Sequence, residues 1–313
     1  MKKTIRINEL PTRTWNRLGV NVAEIEWDTD AAKLPVQALT VSAGKAAPLR
    51  LDVRDVGACT EQRVTLRAAA DSEVSVFLTA TAENPLALRL DATLDAGAHV
   101  RVVLLENPTK GTTLRAETHA NCAAGAKIEY ITVLIGDGDI YAEQTAELVG
   151  DGSALRADIA YYGGGTQTVD YSIAVNHFGK KTESEILASG ALADAAKKIF
   201  RGTIDFKRGS TDAVGSENET VLMLGDDAVN KTVPLILCAE ENVEGTHGAT
   251  VGDLDAATLF YFESRGIDRA AAQAILSRAA VERLIRLAGD AAFAVQATAA
   301  LNAALGCEGG EDA

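Results

Sequence analysis

Hydrophobic and polar residues alternate along most of the chain between residues 49 and 206. Short runs such as residues 49–54 and 74–78 place an apolar side chain at every second position, and glycine, aspartate and asparagine residues separate the runs. An alternation with a period of two is typical of a β-strand that buries one face. This part of the chain therefore predicts many short strands, and no helix of ordinary length fits it.

One short pattern recurs along these strands. Gly97, Gly125 and Gly152 each precede a new strand, at spacings of 28 and then 27 residues. A regular spacing of this size indicates stacked coils, and glycine supplies the positive φ angle that a tight corner requires. The residues after each corner that are predicted to point inward and stack between coils are Val100, Val102, Leu104, Ile128 and Tyr130. A β-helix or a flattened β-solenoid is therefore favoured over a β-sandwich.

The pattern becomes helical after residue 251. Asp255 is predicted to cap a short helix that ends at Ser264. Asp268 is predicted to cap a second helix that runs to about Ala288, and Asp290 can start a third. The apolar stripe predicted for the second helix consists of Ile275, Ala279, Leu284 and Ile285.

These changes in pattern predict four segments. Residues 1–47 are predicted to form an irregular arm that covers one end of the solenoid, and residues 48–252 form the β-helix core. Residues 253–305 form a C-terminal helical domain, and residues 306–313 form an acidic, disordered tail. The apolar cluster of the arm is Trp15, Leu18, Val20 and Val22. The predicted fold class is mainly β, with a helical domain at the C-terminal end.

Composition narrows the range of functions. The chain has 30 Lys and Arg residues against 44 Asp and Glu residues, and its net charge of −14 would repel nucleic acid phosphates and anionic lipids. The first residues lack the apolar stretch of a secretory signal, and no uncharged apolar run is long enough to span a membrane. We therefore expect no nucleic acid or membrane partner, and a cytoplasmic location.

The four cysteines, Cys59, Cys122, Cys238 and Cys307, are scattered without a Cys-x-x-Cys pair. This spacing fits neither a disulfide framework nor a structural zinc site, so free thiols are expected.

The segment from residue 176 to residue 279 resembles the SufB/SufD family of iron–sulfur cluster assembly proteins. The residues that carry the resemblance are NHF at 176–178, IFRGTI at 199–204, VLML at 221–224, VPLIL at 233–237, HGATVGDLD at 247–255 and LFYFESRGI at 259–267. The residues at 6–11 and 14–16 are also similar to short members of the family.

The resemblance implies a right-handed parallel β-helix followed by a helical domain. It also implies that two subunits pair along the β-helix, as a homodimer or as a heterodimer with a SufB/SufD paralogue. An ABC-type ATPase, SufC, is expected on the helices, and the complex would pass iron–sulfur clusters to acceptor apo-proteins. The chain itself is expected to be non-catalytic, because ATP hydrolysis belongs to the partner. The Gly-Lys loop at residues 179–182 lacks phosphate-loop spacing.

The candidate site for iron, for a cluster or for a subunit interface consists of His247, Cys238, Glu241 and Glu244. Imidazole, thiolate and carboxylate can all bind iron, and thiolate is preferred in clusters. Cys238 and His247 are the metal ligands proposed within this set, and without the resemblance both are better explained as structural residues. The cysteines that the family carries nearby would fall at Ala228 and Gly245 and are missing here. The cluster is therefore expected to be transient, and a subunit that binds none stably is an alternative.

The residues predicted to dock the ATPase are Leu259, Phe260, Tyr261, Ser264, Arg265 and Gly266. Two other functions fit the pattern. The chain could be a purely structural partner of a cluster-carrying paralogue. It could also be a β-helical carbohydrate-active enzyme, although only 5% of its residues are aromatic and could stack on sugars.

Overall fold

The computed structural model of the chain describes residues 2–14 and 16–306. Residues 307–313 of the predicted tail, which include Cys307, lie outside the described residues, and so does the predicted arm residue Trp15. The strands are β1 (Lys2–Ile7), β2 (Ala23–Asp28), β3 (Ala32–Lys33), β4 (Gln37–Val41), β5 (Gly44–Lys45), β6 (Leu49–Arg54), β7 (Thr60–Ala68), β8 (Ser72–Ala82), β9 (Leu86–Leu94), β10 (His99–Pro108), β11 (Thr113–Cys122), β12 (Lys127–Leu134), β13 (Asp139–Leu148), β14 (Ala154–Gly163), β15 (Thr168–His177), β16 (Glu183–Leu192), β17 (Lys197–Phe206), β18 (Ala213–Met223), β19 (Val229–Cys238) and β20 (Val243–Asp253). Helices α1 (Ala256–Glu263), α2 (Arg269–Leu287) and α3 (Ala291–Ala304) follow.

The strands from β3 onward form a parallel β-solenoid of about eight coils. One sheet, which we call the arm-side sheet, contains β3, β4 and the odd-numbered strands from β7 to β19. The other, which we call the helix-side sheet, contains β5, β6 and the even-numbered strands from β8 to β20. The β-solenoid predicted from the alternation is therefore confirmed.

Glycines turn the corners between strands, as the recurring pattern predicts. Gly97, Gly125 and Gly152 have φ angles of 70°, 65° and 69°. An L-residue rarely adopts this conformation, so glycine is the residue that suits these corners.

The core fills the space between the two sheets. The strands stack in register, so that Val100 lies beside Ile128 and Val102 beside Tyr130 on the next coil. All of the residues predicted to point inward are buried. The isolated His177 is also a core residue, and its two ring nitrogens lie 2.8 Å and 2.9 Å from the hydroxyl oxygens of Thr182 and Ser184.

The three helices begin where capping aspartates predict. The side chains of Asp255, Asp268 and Asp290 each accept a hydrogen bond from a backbone N–H three residues later. Helices α2 and α3 pack against the outer face of the helix-side sheet, where they form a second apolar core with residues such as Phe77 and Val103.

The predicted stripe on α2 is half wrong. Leu284 and Ile285 are buried together with Val281, whereas Ile275 and Ala279 are exposed. At about 100° per residue, Ile275 and Ala279 lie at least about 120° around the helix from Val281. They therefore face away from the sheet.

The predicted arm is an antiparallel hairpin, β1 and β2, followed by the first coil of the solenoid. The hairpin packs through Ile7, Ile25 and Trp27 near Ala87 and Tyr141 of the arm-side sheet, so it covers the side of the solenoid and not its end. The first coil begins at β3, inside the segment predicted as arm. Its strands β3 and β5 are only two residues long, which is too short for an alternating pattern to be recognised.

A buried ion pair anchors this hairpin. Arg201 pairs with Asp170 inside the contact, and the Arg201 Nε donates to the carbonyl of Val20 at 2.6 Å. Asn8 donates from its amide to the Asp170 carboxylate at 2.6 Å. The two charges thus tie both ends of the loop that joins β1 to β2 to strands β15 and β17.

Among the described residues, no helix combines the length and the apolar composition that crossing a bilayer would need. The cytoplasmic location stays a prediction.

Candidate functional site

The last coil leaves one end of the solenoid open. Strand β19 pairs only with β17, and β20 pairs only with β18, among the described residues. Most of β20 is exposed, and the exposure includes positions that are buried on the preceding strand β18. An edge strand presents unpaired N–H and C=O groups that can pair with another chain. The last coil therefore has an unpaired edge, at which another chain could pair.

His247 lies on this edge strand and on the side that faces the interior. It is directly beside Glu217 of β18 in the parallel register. Side chains paired in this way point to the same face of a sheet, and Glu217 is buried in the interior. Because no further coil follows among the described residues, the His247 side chain is exposed at the mouth of the solenoid.

The structure does not bring Cys238 close to His247. Strands that face each other across the interior run in opposite directions. Lys198 precedes Gly202 on β17, whereas Glu219, which pairs with Lys198, follows Glu217, which faces Gly202, on β18. Gly245 faces Ile236, so the chain moves away from Cys238 as it continues to His247. The two candidate ligands are therefore offset by about four residues, or roughly 13 Å along the strand direction.

The two carboxylates of the predicted set are also separate from His247. Glu244 lies an odd number of residues from His247 on β20, so its side chain points to the opposite face. Glu241 is exposed in the turn before β20, and its N–H donates to Glu240. The Cys238 thiol is exposed and donates to the Glu240 carbonyl at 2.9 Å. The described residues contain no group of three His, Cys, Asp or Glu side chains placed to hold a metal.

A buried charged cluster under the last coil is absent from the sequence-based predictions. Lys198 pairs with Glu219, and Tyr161 donates to Glu219 at 3.0 Å. Burial and the neighbouring Glu219 raise the pKa of Glu217 to about 8, and its Oε2 has no hydrogen-bond partner in the described part of the chain. The carboxyl occupies space that a side chain at Gly202 would take, since a Cβ there would lie 2.2 Å from it. Two acidic residues at inward positions of an alternating strand are the signal that could have revealed this cluster.

Helix α1 presents most of the predicted ATPase-docking residues to solvent. None of its residues is buried, and Phe260 and Tyr261 are 72% and 57% exposed. The Arg265 guanidinium lies 5.2 Å from the centre of the Tyr261 ring, which holds the two side chains together. Ser264 caps the helix, Gly266 continues the turn with a φ of 78°, and Leu259 is half-buried. An exposed aromatic pair on a short helix is typical of a protein-binding surface.

The chain is thus a parallel β-solenoid protein with an open last coil and with helices packed against one of its two sheets. The family model described as "SUF system FeS cluster assembly, SufBD core domain" matches residues 52–280. The match covers more than half of the chain, and the chain therefore belongs to the SufB/SufD family.

Curated relatives support this membership. The iron–sulfur cluster assembly protein SufD of Bacillus subtilis is 35% identical over 48% of this chain and 35% of its own length. The SufD of Escherichia coli is 25% identical over 72% of this chain and 47% of its own length. A chloroplastic SufBD family protein of Arabidopsis thaliana is 26% identical over 48% of this chain and 27% of its own length. The chain thus spans less than half the length of these relatives.

Proposed function

We propose that the chain is a non-catalytic scaffold subunit of a Suf-type iron–sulfur cluster assembly complex. It would work with an ABC-type ATPase of the SufC kind, pair with a second SufB/SufD subunit, and pass clusters to acceptor proteins. The observation that carries this proposal is the open last coil, because the family motif that contains His247 lies on its unpaired edge strand. A second copy or a paralogue could occupy the edge, and the native mass of the purified complex distinguishes the two.

The chemistry of the last coil favours a cationic cargo. Residues 226–255 contain seven Asp and Glu residues against one Lys, so the edge attracts cations such as iron. His247 adds an imidazole, which binds iron in its neutral form. Cys59 and Cys122 are buried, and Cys238 is distant from His247 in the coil. We therefore infer that thiolate ligands for a cluster come largely from the second subunit.

Substitution of His247 tests this part of the proposal. Because the side chain is exposed at the mouth of the solenoid, we expect His247→Ala to fold and to bind the ATPase normally. Cluster formation per assembled complex should fall by about tenfold, the loss expected for one removed ligand interaction. The measurement is anaerobic reconstitution with iron and sulfide, followed by absorption spectroscopy.

Glu244→Ala is the matched control, because it changes the same strand on the opposite face. Equal cluster yields for wild type and His247→Ala would show that this chain is a purely structural partner, which is the second candidate function.

Helix α1 is proposed to dock the ATPase. Replacing Phe260 and Tyr261 by Ser removes two exposed aromatic anchors without opening a core. We expect ATPase affinity to fall by at least about tenfold, while circular dichroism and thermal stability stay unchanged. Val295→Ser is the matched control, because Val295 on α3 is 71% exposed and Phe260 is 72% exposed. Full ATPase affinity in the Phe260/Tyr261 variant would contradict docking at α1.

A further inference from the structure

The first coil is the second end of the stack of coils. Its strands β3 and β4 pair with β7 alone, and its strands β5 and β6 pair with β8 alone, in the part of the chain that the structure describes. Because every coil adds one layer to the same two sheets, a further coil could stack on either end. The last coil of a second copy of this chain is such a coil, since β19 and β20 each pair on one side only among the described strands.

Charge favours this head-to-tail contact between two copies. Residues 32–58 of the first coil contain four Lys and Arg residues against two Asp residues. Residues 226–255 of the last coil contain seven Asp and Glu residues against one Lys. The two ends therefore attract each other, and a head-to-tail contact leaves one free end of each kind, so that it repeats into an open filament. A chain that forms discrete particles needs a structural block at one of its ends.

Both sheets carry the same irregularity at the first coil. Between β3 and β4 the chain has three residues, 34–36, where the neighbouring strand β7 has two, 62 and 63. Between β5 and β6 it again has three residues, 46–48, where the neighbouring strand β8 has two, 74 and 75. One extra residue of this kind is a β-bulge, which bends the strand and interrupts its pairing. Each edge of the first coil is thus broken near its middle.

Each of the two bulges contains an exposed proline, Pro35 in one and Pro48 in the other. Proline has no N–H group, so neither position can donate to a strand of a further coil. The buried Gln62 side chain holds the first bulge in place, because its amide donates to the Pro35 carbonyl at 3.0 Å. The last coil differs, since β20 runs for eleven residues without a proline. Bulges and prolines are devices that prevent pairing at the edge of a sheet.

We propose that the two proline bulges block the first coil against a second copy of this chain. Association through strand pairing is then confined to the last coil, and the chain cannot polymerise head to tail although its charges favour that contact. The block depends only on the two ends of the solenoid and does not rest on the cluster chemistry proposed for the last coil.

A variant that lacks both Pro35 and Pro48 tests the block, because each deletion removes the extra residue and the proline together. We expect the mean mass of the wild-type chain to reach a plateau as its concentration rises. The mean mass of the deletion variant should rise without a plateau as filaments grow. Static light scattering measures both, and fibre diffraction of the filaments should show the strand spacing of about 4.8 Å along their axis.

Val251→Pro in the deletion variant should abolish the filaments, because Val251 is exposed on β20, the strand to which the next copy would pair. Pro85→Ala is the matched control. It removes a proline from the corner between β8 and β9 and keeps the carbonyl that accepts the Thr60 N–H at 2.9 Å, so its mass should follow that of the wild type.

A second variant, Pro35→Val with Pro48→Val, keeps the test valid if the deletion variant does not fold. It restores both N–H groups at unchanged chain length and should form the same filaments. The proposal is overturned if a folded variant of either kind reaches the wild-type plateau, if the filaments persist with Val251→Pro, or if the wild-type chain itself grows without a plateau.

Discussion

Glu106→Gln will stabilise the protein at neutral and alkaline pH. Glu106 is buried in the solenoid interior, and its Oε2 has no hydrogen-bond partner in the described chain. Burial raises the pKa of this carboxyl from 4.5 to about 8. The folded state therefore holds a proton that the unfolded chain releases, and the wild-type protein loses stability as pH rises through this window.

The effect has a defined pH dependence. Below pH 4.5 the carboxyl is protonated in both states, so wild type and Glu106→Gln should be equally stable. The advantage of the variant should reach about 3 kcal/mol at pH 7 and stop growing above about pH 8. Denaturant unfolding at several pH values measures it.

Glu244→Gln is the control for this experiment, because Glu244 is exposed on β20 and should change stability little at any pH. A Glu106→Gln advantage that does not vary between pH 4.5 and pH 8 would show that the carboxyl is not held neutral in the interior.

Asp170→Asn will destabilise the protein strongly. The Asp170 and Arg201 side chains are 2% and 0% exposed, so removing the carboxylate leaves the guanidinium buried without its counter-charge. Breaking a buried pair in this way costs about 3–5 kcal/mol. The Asn8 amide loses its charged acceptor in the same change, so the N-terminal hairpin should also become sensitive to proteolysis.

Two further variants identify the cause. Asp170→Leu combined with Arg201→Met removes both charges, and it should recover much of the loss because no charge then remains buried. Glu9→Gln removes one partner of the half-exposed Arg6–Glu9 pair and should cost less than about 1 kcal/mol. Equal losses for Asp170→Asn and Glu9→Gln in chemical denaturation would contradict this account.

The features that the sequence predicts correctly are those with a local cause. Alternation identifies the long strands because most of them repeat the pattern over nine or more residues, as β7 and β11 do. Corner glycines identify the coil repeat, and Asp255 and Asp268 identify helix starts because an N-cap acts on the next turn only.

The candidate site depends on distant relationships and is predicted less well. Cys238 and His247 are nine positions apart across a short turn, so the sequence makes them look like neighbours. They separate because the two strands run in opposite directions along opposite sheets. The Lys198–Glu219 pair joins strands of both sheets, and no local pattern shows that these two charges meet.

The register of the coils has a mechanical consequence. Each strand in the stack pairs with the strands of the preceding and following coils and with few others, so the solenoid resembles a one-dimensional column whose loss of order propagates from an end. The coil that bears His247 is such an end, since nothing among the described residues holds its outer edge. The second subunit that we propose for this edge would also act as a clamp against unravelling, and it would couple the lifetime of the folded chain to its assembly state.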